Sequence, residues 1–223
     1  MLRKTIVTCL LLGSGFFFAQ AQNNSLGKND PDAKKVLDAL STKLKSFKAV
    51  QSNFTLKVED SKGKPQGSKS GIVFLKGNKY HISMTGLEVF CDGKDIWTYD
   101  KSSNEVTITK SDPSAQTISP DKFFTNFYDK DFLYKLNAES QLGGRTVQEV
   151  ELTPIDKTKT FFKALLYIDK ARHTPVGIKW FDKSGNRYTL DTSKLNGNAP
   201  LTDAQLAYSK AKYPGAEEVD LRN

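Results

Sequence analysis

The only histidines and the only cysteine beyond the amino-terminal segment are His81, His173 and Cys91, and they are the first candidates for a base, a nucleophile or a metal ligand. Hydrolysis needs a nucleophile, a base and an orienting group, and neither histidine lies in a recognisable catalytic motif. Cys91 lacks the second cysteine or nearby histidine of a zinc pattern, so we expect it to be a buried, reduced and poorly reactive thiol. The sequence therefore favours a protein that is not an enzyme, with no catalytic residues, metal or cofactor.

Two further classes of ligand are also disfavoured. Gly143 and Gly144 lack the lysine and serine or threonine that continue a phosphate-binding loop. The 33 basic and 25 acidic residues are interspersed, without a run of five basic residues or an arginine-rich stripe, so nucleic acid is not an expected partner. The excess of positive charge indicates a solvated surface, or at most a weak attraction to anionic lipid headgroups.

Aromatic side chains are the most distinctive remaining feature. Trp97 and Tyr99 alternate with polar residues, as does Trp180. A simple β-sandwich core would explain this alternation equally well, and the pattern leaves that alternative open. A second aromatic group covers more of a helix circumference than one packed stripe requires. It consists of Phe123, Phe124, Phe127 and Tyr128.

The amino terminus has the organisation of a secretory signal peptide. Arg3 and Lys4 precede an apolar stretch over residues 5–18, and residues 19–21 (AQA) form a small-x-small cleavage site. The stretch is too short for a comfortable membrane span, which disfavours an uncleaved anchor helix. Cys9 precedes most of the apolar run and so is not a lipidation site. We therefore expect cleavage after Ala21 and export to the periplasm.

The remaining residues, 22–223, are compatible with one all-β domain or with two small ones, and we predict one domain. Asp30 and Pro31 begin an amphipathic helix that extends to Phe47, because apolar residues recur at three- and four-residue steps. Short period-two segments separated by turn residues then predict about eleven strands. Such short connections make neighbouring strands antiparallel. A second helix is expected after Ser119, ending near Tyr128.

Six segments of the chain resemble the outer-membrane lipoprotein carrier (LolA-like) family. The most specific is 92–100 (DGKDIWTYD), which is similar to the family pattern D-G-K-x-L-W-x-Y-D. The others are 47–55 (FKAVQSNFT), 71–76 (GIVFLK), 152–154 (LTP), 176–182 (VGIKWFD) and 213–217 (YPGAE). Together with the order of the elements, the resemblance covers roughly residues 33–220.

This resemblance implies a mainly β (α+β) fold, an unclosed and highly curved antiparallel β-barrel with a helical lid over an apolar cavity. Both helices would lie on its concave side. It also implies a function, the transfer of lipoproteins from an inner-membrane ABC exporter to an outer-membrane acceptor, carried out by what we expect to be a monomer. The expected cavity-lining residues are Phe54, Leu56, Phe74, Ile82, Met84, Trp97, Phe123, Phe124, Phe127, Tyr128 and Trp180.

One departure from the family pattern concerns the lid. Proteobacterial members usually have K-R-P after the second strand, where the arginine helps to latch the lid, whereas here Lys76 is followed by Gly77 and Asn78. The resemblance therefore implies the cavity but not the arginine latch. A lipid-binding sensor or accessory protein of the same fold, carrying a different lipid, remains the alternative.

Overall fold

The computed structural model describes residues 29–112 and 128–222, which form three α-helices, a 3₁₀ turn and twelve strands. The helices are α1 (Pro31–Lys45), α2 (Tyr128–Asp131) and α3 (Asp203–Leu206), and the 3₁₀ turn is Lys210–Lys212. The strands are β1 (Val50–Glu59), β2 (Pro65–Lys76), β3 (Lys79–Met84), β4 (Leu87–Cys91), β5 (Asp95–Asp100), β6 (Glu105–Lys110), β7 (Phe132–Leu142), β8 (Arg145–Pro154), β9 (Phe161–Asp169), β10 (Thr174–Asp182), β11 (Arg187–Asn196) and β12 (Glu217–Asp220). Within these ranges no helix is both long and apolar enough to cross a membrane.

The twelve strands form one curved, unclosed sheet in the order β12-β6-β5-β4-β3-β2-β1-β11-β10-β9-β8-β7. The first six strands run outward from β1 as a meander, and β7 to β11 return to its other side. The prediction of an unclosed, mainly β fold is confirmed. The prediction that every pair is antiparallel is wrong at one edge, because β12 pairs with β6 in parallel. The parallel pairing is possible because the segment between β11 and β12 crosses one face of the sheet before β12 reaches the edge beside β6.

Helix α1 begins as the sequence predicts, with Asp30 as its N-cap and Pro31 in its first turn. One stripe of the helix is almost completely buried against the sheet, and it comprises Ala33, Val36, Leu37, Leu40 and Leu44. The helix ends at Lys45, two residues before the predicted end. Phe47 lies beyond this end and packs against two core clusters instead. The predicted second helix falls mostly on residues 119–127, outside the described residues; its predicted end, Tyr128, is the first residue of α2.

The sheet has two faces with different covers. We call the side on which α1 packs the helix face; its core cluster joins α1 and α2 to strands β7 to β10. The opposite side is the back face. Over β3 to β6 the back face is covered by the carboxy-terminal segment, whose Tyr208 and Tyr213 contact Phe90. Both faces are therefore apolar in this half of the sheet.

Asp30 fastens the start of α1 to the edge strand β7. One carboxylate oxygen accepts hydrogen bonds from the backbone N–H of Asp32 (2.8 Å) and Ala33 (3.4 Å). The other accepts from the N–H of Leu136 in β7 (2.9 Å), and the Asp30 N–H donates to the Tyr134 carbonyl (3.1 Å). Burial would raise the pKa of Asp30, but these backbone hydrogen bonds lower the pKa below its ordinary value of 3.8.

We expect Asp30→Ala to lower the free energy of unfolding by about 2 kcal/mol, since it removes the cap and leaves the Leu136 N–H without its acceptor. Asp30→Asn keeps a capping oxygen and is expected to lose less. A carboxylate with a lowered pKa stabilises the fold above its ordinary pKa, and this contribution is lost as the pH falls through the lowered value. Urea unfolding at neutral pH and at steps below 3.8 should therefore show the difference between wild type and Asp30→Ala narrowing in acid. A difference that persists unchanged would contradict the role of the ionised carboxylate.

Candidate functional site

The helix face carries a largely apolar surface between its two core clusters, and we call this surface the apolar floor. Cross-strand pairing places its members on one face: Phe54 pairs with Gly71, Gly71 with Met84, and Leu56 with Leu190. The pair Leu190 and Ile178 connects them to the cluster beneath α1. The floor comprises Phe54, Leu56, Val58, Val73, Ile82, Met84, Trp180, Tyr188 and Leu190. Lys69, which pairs with Leu56, and Thr192, which pairs with Phe54, are polar neighbours on the same face.

Most of the floor is half-buried, unlike the cores on either side. Among its members only Phe54 is buried, with 7% of its surface exposed. Trp180 and Leu190 pack against the cluster beneath α1, and Ile82 packs against the cluster around Leu75 and Tyr80. Leu56 and Met84 belong to neither cluster. The centre of the floor therefore offers partly open apolar surface on which a flexible apolar ligand can lie.

Gly71 shapes the centre of the floor. A Cβ atom built at this position would lie 2.6 Å from the ring of Phe54 and 2.9 Å from the Cβ of Met84. Contacts this short do not occur, so glycine allows the Phe54 ring to lie across strand β2. The stacked rings of Trp180 and Tyr188, with centroids 5.4 Å apart, form the other end of the floor. The described floor is thus built from aliphatic side chains and flat rings, which suit acyl chains because their contacts are not directional.

The structure brings together five of the predicted lining residues on the floor, namely Phe54, Leu56, Ile82, Met84 and Trp180. Tyr128 lies on the same side but is packed in the core, with its hydroxyl 2.9 Å from the Asp38 carboxylate. Phe123, Phe124 and Phe127 lie outside the described residues. Sequence reasoning missed Val58, Val73, Tyr188 and Leu190. Val58 is two residues from Leu56 and therefore on the same face of its strand. The other three pair across strands with predicted lining residues, namely Val73 with Ile82, Tyr188 with Trp180 and Leu190 with Leu56.

Phe74 and Trp97 do not share a face with the five predicted lining residues on the floor. Both lie on the back face, where Phe74 pairs with His81 and Trp97 pairs with Phe90. The Trp97 ring stacks on Tyr208 of the carboxy-terminal segment at a centroid distance of 5.7 Å. Alternation of apolar and polar residues within a strand does not identify which of two apolar faces holds a ligand. In this sheet both faces carry apolar side chains, because the carboxy-terminal segment packs on the back face.

The histidines also take structural positions. His81 stacks on the Phe90 ring at 4.1 Å, and its Nε2 lies 2.9 Å from a Glu88 carboxylate oxygen that also accepts from the Tyr213 hydroxyl. Burial, followed by the charge of Glu88, raises the pKa of Tyr213, so this phenol remains a donor that fixes the carboxy-terminal segment. His173 is exposed in the β9–β10 turn, with a φ of 52°. Among the described residues no cluster of three or more histidine, cysteine, aspartate or glutamate side chains could hold a metal ion.

Two other sequence features have clear positions. Cys91 is 1% exposed in the cluster next to the floor, and the Gly93 N–H donates to its sulfur over 3.3 Å. Its low reactivity stays a prediction. Gly77, which occupies the place of the family's arginine, has a φ of +62° in the β2–β3 turn. This tight hairpin geometry favours glycine, so an arginine here would strain the backbone.

Three known proteins illustrate what this chain is similar to. A curated relative, an uncharacterized protein of Methanocaldococcus jannaschii, is 24% identical over 208 residues. This match covers 92% of the present chain but only 58% of the length of that relative. A solved structure of an uncharacterized conserved protein from Thermus thermophilus has a TM-score of 0.57 at 16% identity, covering 85% of this chain and 99% of that one. A LolA superfamily protein from Nitrosomonas europaea is also 16% identical, with a TM-score of 0.42 and coverage of 79% and 97%.

The family comparison covers most of the chain. The family model described as outer membrane lipoprotein carrier protein LolA matches residues 45–209, which include β1 to β11 and the whole apolar floor. The chain therefore belongs to the outer-membrane lipoprotein carrier (LolA) family.

Proposed function

We propose that this protein is a periplasmic carrier that binds the acyl chains of lipoproteins on its apolar floor. The observation that supports this proposal is the half-buried apolar surface between two closed cores, on a chain of the lipoprotein carrier family. Residues 1–21 would be the cleaved signal peptide. The partners would be an inner-membrane ABC exporter, which releases the cargo, and an outer-membrane acceptor, which receives it.

The energetics of an acyl chain explain why the floor must be both apolar and open. Each methylene exposed to water costs about 0.8 kcal/mol, so a long acyl chain in water costs on the order of 10 kcal/mol. A carrier must cover this surface during transfer and then release it. Half-buried aliphatic and aromatic side chains provide such contacts without a rigid polar pocket. Phe54, Leu56, Ile82, Met84 and Trp180 are the proposed lining residues, and the role of Phe123, Phe124 and Phe127 remains a proposal from the sequence.

The test is a pair of measurements on wild-type protein purified without detergent. Native mass spectrometry should detect co-purified lipoprotein or lipid. Titration with a fluorescent acylated peptide should show binding, and the same peptide without its acyl chain should bind at least roughly 100-fold more weakly, because most of the interaction is apolar burial. Equal affinity for both peptides, or no binding of either, would refute the carrier function. Recovery of a lipid without any protein attached would instead favour the sensor or accessory protein.

A further inference from the structure

Three turns meet at one end of the sheet: β1–β2, β8–β9 and β10–β11. Arg187 donates a hydrogen bond from its guanidinium to the Ser61 carbonyl (3.2 Å), which joins the β10–β11 and β1–β2 turns. The Lys183 N–H donates to the Thr160 carbonyl (3.0 Å), which joins β10–β11 to β8–β9. We call residues 155–163 and 179–187, which form most of this end, the basic tip.

The basic tip carries large apolar side chains that are exposed to solvent and are not packed in either core cluster. Ile155 and Phe162 are each 51% exposed. Phe162 lies beside Phe181, with ring centroids 6.2 Å apart, at a β-bulge where the register of β9 and β10 shifts. The bulge turns Phe162 away from the core while Phe161 beside it is buried. The Phe162 side chain is thus held at the surface by the backbone itself.

Positive charge surrounds these apolar side chains. The basic tip contains five lysines and one arginine against two aspartates, an excess of four positive charges. The neighbouring turn, residues 59–64, has two lysines and two acidic residues and is neutral. Lys163 lies above the Phe181 ring at 4.8 Å. Within the described part of the chain, Lys179 is the only lysine of the tip that forms an ion pair, with Glu59 at 2.8 Å.

The two aspartates of the tip are engaged in their own turns. Asp156 accepts from the N–H and hydroxyl of Thr158 at 2.8 and 2.7 Å, and Asp182 accepts from the Asn186 N–H at 2.7 Å. The α2 helix, whose Asp131 carbonyl accepts from the Ile155 N–H, adds two aspartates and one lysine by sequence, which lowers the excess of positive charge from four to three. The lysines therefore dominate the field around Ile155 and Phe162.

We propose that the basic tip docks on a membrane surface that contains anionic lipid headgroups. Exposed aromatic and aliphatic side chains enter the boundary between headgroups and acyl chains, and surrounding lysines are attracted to the negative surface potential. Neither contribution alone gives stable binding, whereas together they give reversible binding that weakens with salt. Trp180 belongs to both ranges, but Ile155, Phe162 and the lysines of the tip are not members of the apolar floor. Docking through these side chains is therefore a second activity, additional to cargo binding.

The test is sedimentation of the full protein with vesicles of phosphatidylcholine, with and without phosphatidylglycerol. Wild type should bind the anionic vesicles at least about tenfold more tightly than the neutral ones. Phe162→Ser should weaken binding about tenfold, and Lys159→Glu with Lys183→Glu should do so at least as strongly. The matched controls lie at the other end of the sheet. Leu142→Ser removes an apolar side chain that is 42% exposed and so matches Phe162→Ser. The double variant Lys94→Glu and Lys110→Glu changes the net charge of the protein by the same amount as the double variant of the tip. Both should bind like wild type.

Three outcomes would overturn the docking proposal. These are equal affinity for neutral and anionic vesicles, unchanged vesicle binding by the tip variants, and no vesicle binding at all. The last outcome would favour an acidic protein as the partner of the tip. Met84→Asp, which alters the floor, should bind vesicles normally; loss of its vesicle binding would show that the floor and not the tip contacts lipid. Failure of acylated-peptide binding with intact vesicle binding would refute the carrier function and leave the docking proposal standing.

Discussion

Replacing Met84 by aspartate is expected to abolish binding of an acylated peptide while the protein remains folded. Met84 lies at the centre of the apolar floor, next to Phe54 and across from Gly71, and it belongs to neither core cluster. A carboxylate there would have to lose its hydration beneath the acyl chain or take up a proton. Burial of an unpaired polar or charged group costs several kcal/mol, so the affinity should fall by roughly 100-fold or more.

Ile72→Asp provides the matched control for this experiment. Ile72 is half-buried on the adjacent strand, beside Gly71, but its cross-strand partners Asn53 and Ser83 place it on the back face. The same introduced charge should therefore leave peptide affinity within a few-fold of wild type. Circular dichroism and thermal unfolding establish that both variants are folded. If both variants lose binding equally, or neither does, the acyl chain does not lie on the floor.

Replacing Leu37 by alanine is expected to lower the free energy of unfolding of the whole protein by about 2 to 5 kcal/mol, the usual cost of a cavity left by a buried leucine. Leu37 is 0% exposed at the centre of α1, where the helix packs on strands β7 and β10. Because the buried stripe of α1 is continuous with the cluster beneath it, we expect this helix to unfold with the sheet and not separately from it. Urea denaturation monitored by tryptophan fluorescence and by circular dichroism would measure the change.

Lys35→Ala is the control on the same helix. Its side chain is 79% exposed and forms a surface ion pair with Asp32 at 2.9 Å. Exposed pairs of this kind contribute little, so the free energy of unfolding should change by less than about 0.5 kcal/mol. Hydrogen exchange adds an independent measurement: α1 amides should exchange at the rate of global unfolding. If they exchange much faster than the sheet, and Leu37→Ala leaves the denaturation midpoint unchanged, α1 is a detachable cover.

These two experiments separate the parts of the helix face. The region beneath α1 is closed by side chains that are nearly inaccessible, such as Leu37, Val150 and Leu166. The region around Leu56 and Met84 remains half-buried. If carriage involves movement of a cover, the described structure assigns α1 to the stable part. The proposal that residues 121–127 cover the floor comes from the sequence and is independent of this assignment.

The sequence alone determined the elements and much of their order. Asp30 and Pro31 predicted the start of α1, and the apolar steps from Ala33 to Leu44 predicted its buried stripe. Turn residues such as Gly77 and Asn78 predicted the hairpins, because tight turns need backbone conformations that few residues adopt. The segment 92–100 and the other matching segments indicated the family, which the family comparison confirmed.

Only the tertiary structure decided which aromatic side chains share a face. Trp97 and Trp180 alternate with polar residues in the same manner, yet Trp180 lies on the floor and Trp97 stacks on Tyr208 behind the sheet. Local alternation gives the two faces of a strand but does not identify what covers each, because the cover comes from residues more than a hundred positions away. The parallel pairing of β12 has the same origin, since it depends on where the carboxy-terminal segment crosses the back face, anchored there by Tyr208 and Tyr213.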